Sequence, residues 1–250
     1  MQAIGRALRA ALQDLLTPRM LGLALWPVFG AAVVWGLIFW LGWSHWLALL
    51  QNLLGGDPGG WLAAHAGAWL STALAWLIAA PLLLILVLLT ALLVTSILAV
   101  PVMLRAIAAR DFPRLQRRRG GSLAGSLANA LFATVVYLLL LIITLPLWLI
   151  VPFGFLIFPA LLNGWLNARL FRYDVLAEHA SRDEYRSLIR RHGHELLLLG
   201  VVLASAQSVP ILNLLAPLLA VYSALAFVHY LLARLAELRA EAADDTEVVA

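Results

Sequence analysis

The sequence predicts an all-α membrane protein: two long transmembrane helices plus two helical hairpins, re-entrant or short-spanning, that are broken by prolines. Three observations predict it. The chain is 64% hydrophobic and 12% charged, with a mean hydropathy of +0.95. A bilayer solvates that much apolar side chain, whereas a soluble domain of 250 residues would need a larger charged surface. The basic residues are also segregated: all 17 are arginines, confined to 6–19, 105–119, 169–191 and 234–239 as 3, 6, 6 and 2. Finally, each apolar block between them is interrupted near its middle, the first by a turn cluster and the others by prolines.

Residues 1–19 carry Arg6, Arg9, Asp14 and Arg19, with Ile4, Leu8, Leu12 and Leu15 at near-helical spacing. That pattern predicts an interfacial amphipathic helix. It does not suit a cleaved signal peptide, because the apolar run at 21–43 is too long and lacks a small-residue cleavage site. Thr17-Pro18 predicts an N-cap and first-turn proline for the first membrane helix. Trp35, Trp40 and Trp43 gather toward its far end, where an aromatic belt sits. A Gly/Asp/Pro turn cluster at 52–60 follows. Residues 61–104 then carry no formal charge. As one helix they would measure about 66 Å, roughly twice the hydrocarbon thickness. The expectation is one long helix kinked at Pro81, with 61–76 outside or along the membrane.

A basic loop occupies 105–122, and Gly120, Gly121 and Ser122 end it with an N-cap for the next helix. Residues 123–171 form the first hairpin, with Pro152 and Pro159 near its apex, and 172–195 form a polar basic segment. Ser181 and Glu184 have capping-box spacing, which starts a helix near Arg182. The second hairpin spans 196–233, and its Pro210 and Pro217 repeat the sevenfold spacing of the first pair. The acidic tail at 240–250 is expected to be disordered. The division is therefore an interfacial helix at 1–19, one membrane domain at 20–239 (helix pair at 20–104) and the tail. The positive-inside rule assigns all four arginine regions to the cytoplasm, so each apolar block leaves and returns.

The chemistry available is narrow. With no cysteine, disulfides, thiolate catalysis and cysteine-ligated metals are excluded. No Asp or Glu lies inside an apolar block, so a carboxylate relay for a coupling cation has no residues there. His192, His194 and Glu195 lack metal-ligand spacing, and 121–125 is a small-residue packing pattern, not a nucleophile elbow. No enzyme chemistry, cofactor, metal or nucleic-acid partner is expected; the lipid bilayer is a partner. Asn129, Thr134, Asn163, Asn167, Gln207, Ser208, Asn213 and His229 are the candidate polar residues of the apolar blocks. Each suits interhelical packing as well as substrate contact. Broken helices at corresponding positions mark a transporter's substrate site or are simply tight turns. Arg19, in the first turn after Thr17-Pro18, can hold an oxyanion with unpaired backbone N–H groups or anchor the helix to headgroups.

The stretch 209–217, Val-Pro-Ile-Leu-Asn-Leu-Leu-Ala-Pro, followed by an Ala-rich helix to Tyr230, resembles the C-terminal signature of the CysZ bacterial sulfate permeases. Their wider group is the etoposide-induced membrane-protein domain family. Residues 19–27, Arg-Met-Leu-Gly-Leu-Ala-Leu-Trp-Pro, resemble that family's entry to its first membrane helix, and the order of parts agrees over about 10–235. The resemblance implies two long transmembrane helices with partly penetrating hairpins, assembly into homo-oligomers, and sulfate uptake across the bacterial inner membrane. The family's Gly-Leu-Arg element reads Pro18-Arg19-Met20 here, so only the arginine carries over, and Tyr173-Asp174 replaces a Tyr-Pro pair. The expected substrate contacts are Arg19, Thr17, Asn213 and Asn163. The alternative is a membrane scaffold of the same fold that acts through lipid or oligomer contacts without transporting.

Overall fold

A computed structural model of the chain describes residues 1–46, 68–113, 115, 123–209, 212 and 214–249. The turn cluster at 52–60, Arg114, Arg117 to Ser122, Pro210 and Asn213 lie outside the described residues. Among those described every regular element is helical: α1 (Gln2–Leu15), α2 (Pro18–Leu41), α3 (Ala68–Val94), a π-helical turn (Thr95–Ala99), α4 (Val100–Asp111), α5 (Leu123–Ile150), α6 (Gly154–His179), α7 (Arg182–Gln207) and α8 (Ala216–Val249). Four of these stretches are long and apolar enough to cross a membrane: Pro18–Leu41, Trp76–Asp111, Ala124–Ile150 and Ala216–Asp244. The protein is thus an all-α, multi-pass membrane protein.

The α1 helix buries Ile4, Ala7, Ala11 and Asp14, a stripe at helical spacing, and packs it against α8. Its apolar face is therefore covered by protein, while Leu12 and Leu16 face outward. The hydroxyl of Tyr222 on α8 donates to the Leu8 carbonyl (3.2 Å), adding a polar tie to the apolar contact. Thr17 is the extended residue before α2 and Pro18 is at N1, as their order predicts.

Helix α2 pairs with α3 in the apolar zone through Ala31, Val87 and Ala91, flanked by Val28, Trp35 and Leu83. The Trp35 indole donates to Thr90 Oγ1 (2.9 Å), and Trp43 stacks on Trp76 (centroids 4.7 Å apart). A buried indole N–H needs an acceptor because lipid offers none. Pro81 lies inside α3, but the regular hydrogen-bond ladder gives way further on, at Thr95–Ala99, just before Pro101. A proline lacks the N–H of the α ladder and its ring crowds the carbonyl one turn back, which a π turn relieves. Helix then continues to Asp111, so 105–111 of the expected basic loop are helical. Charge alone does not end a helix, and Arg110 is held by carboxylates.

The α5–α6 turn is tight. Phe153 adopts φ 59°, and a Cβ on Gly154 would stand 2.9 Å from the Trp148 Cα. Helix α6 runs unbroken from this turn to His179, through both the expected hairpin arm and the first part of the polar segment. Ser181 and Glu184 form the predicted capping box, Glu184 N–H donating to Ser181 Oγ (3.2 Å) and Ser181 N–H to Glu184 Oε2 (2.7 Å). The α6–α7 pair crosses at Gly164 and Gly200, where added Cβ atoms would overlap the facing backbone.

Helix α8 is central: 67% of its apolar window is buried by other helices, against 6% for α5, whose apolar surface the rest of the chain leaves uncovered. Residues 240–249, expected to be disordered, continue α8 as helix. Glu241 there pairs with Arg191 of α7 (2.7 Å), an exposed contact that composition alone does not reveal.

Candidate functional site at the arginine-bearing end

Contacts between distant segments join arginines of the described residues to acidic partners on other helices. The first and second arginine regions meet at Asp14. Arg110 Nη2 donates to Asp14 Oδ1 and Oδ2 (2.7 and 2.9 Å), while its Nε donates to Asp111 Oδ1 (2.6 Å). From α8, His229 Nε2 lies 2.8 Å from Asp14 Oδ2, and its Nδ1 is 4.0 Å from Asp111 Oδ2. Asp14 sits in the last turn of α1, where the helix dipole disfavours an anion. Its burial requires partners, and Arg110 and His229 supply them. His229 is thus a satisfied interior histidine.

The fourth region meets α7 further along α8. Tyr230 donates its hydroxyl to Glu195 Oε2 on α7, and Arg234 Nη2 donates to the same oxygen (3.0 Å). Arg234 Nη1 reaches Glu237 (2.7 Å). The Tyr230 hydroxyl and then Arg234 hold the Glu195 carboxyl below its usual range, against an opposing effect of burial. Further along, Arg239 Nε donates to Glu184 Oε1 (2.9 Å) and its Nη2 to the His179 carbonyl (2.6 Å). The side chain of α7's capping box therefore also anchors α8.

Between α1 and α8 these groups border a cavity of about 200 Å³, walled by Arg6, Phe112, His229, Tyr230, Arg234 and Glu237. Its polar wall carries two guanidinium groups, one carboxylate, a phenol and an imidazole. Asp14, Asp111 and His229 bring potential metal-ligating atoms within 4.8 Å of one another. However, Arg110 already sits on both carboxylates, so a guanidinium supplies the positive charge.

Of the residues expected to bind substrate, Arg19 is exposed in the first turn of α2. Thr17 is half-buried, and its hydroxyl donates back to the Asp14 carbonyl (2.7 Å), so it caps α1 instead of α2. No side chain caps the N-terminus of α2. Asn163 is half-buried on α6, next to Gly164 and the α7 crossing. Among the described residues no hydrogen bond joins Asn163 to Thr17 or Arg19, and Asn213 lies outside them. Sequence reasoning passed over Asp14 as one charge of an amphipathic helix. The available signal was that it replaces an apolar residue in the buried stripe Ile4, Ala7, Ala11.

The family model described as sulfate transporter CysZ/Etoposide-induced protein 2.4 matches residues 7–217. No curated protein and no solved structure matches the chain. The match runs from within α1 to the first two residues of α8. With most of its length covered, the chain belongs to the sulfate transporter CysZ/Etoposide-induced protein 2.4 family.

Proposed function

We propose that the protein transports an inorganic anion, sulfate, into the cell across the bacterial inner membrane, and that it works as a homo-oligomer. The family match over 7–217 carries this reading. The start of α2 supports it further: the helix opens with Pro18, carries Arg19 exposed in its first turn, and has no side-chain cap over its N–H groups. Free N–H groups, the positive end of the helix dipole and a guanidinium together suit a tetrahedral oxyanion. Arg19 is the principal substrate contact in this reading, with Thr17, Asn163 and Asn213 as polar contacts along the path. The arginines that the positive-inside rule assigns to one side raise the local anion concentration.

Sulfate flux into proteoliposomes tests the proposal. Wild type should show saturable uptake, and Arg19→Ala should reduce it at least about tenfold, the loss expected from a charge-assisted contact. If wild type shows no saturable flux and Arg19→Ala matches it, the protein is instead a membrane scaffold of the same fold.

A further inference from the structure

Helix α6 carries two arginines that the contacts above leave unused. Arg169 and Arg172 are three apart on one helix, so they share a face. Both are half-buried, and the Nε of each is buried with no hydrogen-bond partner. Each charge repels the other. No ion pair among the described residues involves either one. Asp174 on the same helix accepts instead from Ser126 (2.6 Å), and Glu178 pairs with neither arginine. Two adjacent, partly desolvated cations without a counter-charge are unfavourable unless an anion joins them.

The surroundings hold these cations in place. The Arg169 guanidinium lies 4.7 Å from the Phe132 ring centroid and 5.7 Å from that of Trp165. Its backbone carbonyl accepts from the Asn129 amide of α5 (3.4 Å). Counting about 20 residues, one hydrocarbon thickness, back from the α5 end at Ile150 reaches Phe132. Arg169 thus stands about one hydrocarbon thickness from the α5–α6 turn, beside a tryptophan of the kind that marks the interface.

We infer that Arg169 and Arg172 form a binding site for a tetrahedral oxyanion, a phosphate or sulfate group, at the base of the α5–α6 hairpin. A guanidinium pair offers forked N–H donors matched to that geometry. The ion can be a lipid headgroup phosphate or a free anion, and the site is separate from Arg19.

Thermal melting of the full chain in dodecyl maltoside and chloride buffer tests this with two probes, sodium sulfate and dioleoylphosphatidylglycerol. At least one probe should raise Tm saturably: sulfate if the site takes a free ion, the phospholipid alone if it takes a headgroup. Arg172→Gln, which leaves the Arg169 ring contacts in place, should raise the half-saturating concentration about tenfold. Both probes are also titrated in the Arg19→Ala background, which removes the contact proposed at the start of α2, and the saturable shift that depends on Arg172 should persist there. Should Arg172→Gln fail to fold, Arg172→Lys, lacking the fork, should still weaken the response about threefold. The inference is overturned if neither probe shifts Tm, if the Arg172 variants respond like wild type, or if Arg19→Ala abolishes a response that Arg172→Gln retains.

Discussion

His229 Nε2 stands 2.8 Å from Asp14 Oδ2 across a sequence separation of 215 residues, joining the first helix to the last. Arg110 completes the junction from α4. Asp14 is the buried centre of this junction and Arg110 is half-exposed, so the ion pair itself is partly screened. Asp14→Ala should destabilise the protein by about 2 kcal/mol, because it leaves His229 buried without its acceptor. His229→Ala should cost less, since Arg110 still holds Asp14. The two losses should not add: the double variant should recover about 1 kcal/mol relative to their sum, as measured by thermal melting. Additive losses would show that the two residues do not act through each other.

Gly164 and Gly200 bring α6 and α7 into backbone contact. A Cβ at Gly164 would stand 2.6 Å from Val201 N, and one at Gly200 would overlap the Gly164 carbonyl. The obstruction is main chain, so no side-chain rotation relieves it. Gly164→Ala and Gly200→Ala should each cost about 2 kcal/mol or more by separating the helices. Gly193, on the same α7 helix, has open space where a methyl group would stand, with nothing within 4 Å. Gly193→Ala should therefore be neutral or stabilise by up to about 1 kcal/mol through helix propensity. Melting temperatures of the three variants check this; equal behaviour would contradict the close crossing.

Thr90 supplies the acceptor for the Trp35 indole. Thr90→Val keeps the shape of the side chain but removes the oxygen, and lipid gives no replacement. The expected loss is about 1 kcal/mol, within the range of interhelical hydrogen bonds in bilayers. Trp35→Phe in the Thr90→Val background should add little beyond its lost packing area. A chaotrope titration of the reconstituted protein reads both effects.

How much of this was legible in the sequence follows from the range of each interaction. Thr17-Pro18 and the Ser181–Glu184 box are local, and both start helices as their spacing predicts. Pro152 sits in the α5–α6 turn as expected, whereas Pro159, expected near the same apex, lies inside α6, as Pro81 lies inside α3. Segregated arginines assigned four regions to one side of the membrane, but carried no information on which atoms would join. Asp14 with His229, and Gly164 with Gly200, depend on how helices cross in three dimensions, which a one-dimensional period does not encode. Arg19 was found from local chemistry and stands exposed, but Arg169, whose buried Nε has no hydrogen-bond partner among the described residues, was hidden inside a basic run until its neighbours were fixed.

Glu195 gives the protein an acid-sensitive joint between α7 and α8. Its folded pKa lies below the ordinary carboxylate value of 4.5, chiefly through the Tyr230 hydroxyl and then Arg234. A depressed carboxylate contributes stability above its unfolded pKa and loses it as pH falls through the lower folded value. Near pH 7 this contribution should be constant, and it should decline only below about pH 4.5. Tyr230→Phe removes the largest cause, so its Glu195 should protonate at higher pH, closer to the ordinary value. Other carboxylates titrate in the same window, which makes the difference between the two melting profiles the informative quantity. The destabilisation by Tyr230→Phe should be greatest at neutral pH and shrink as both proteins are acidified toward pH 3. A pH-independent difference would mean that Tyr230 stabilises the fold by packing alone, with no preference for the ionised Glu195.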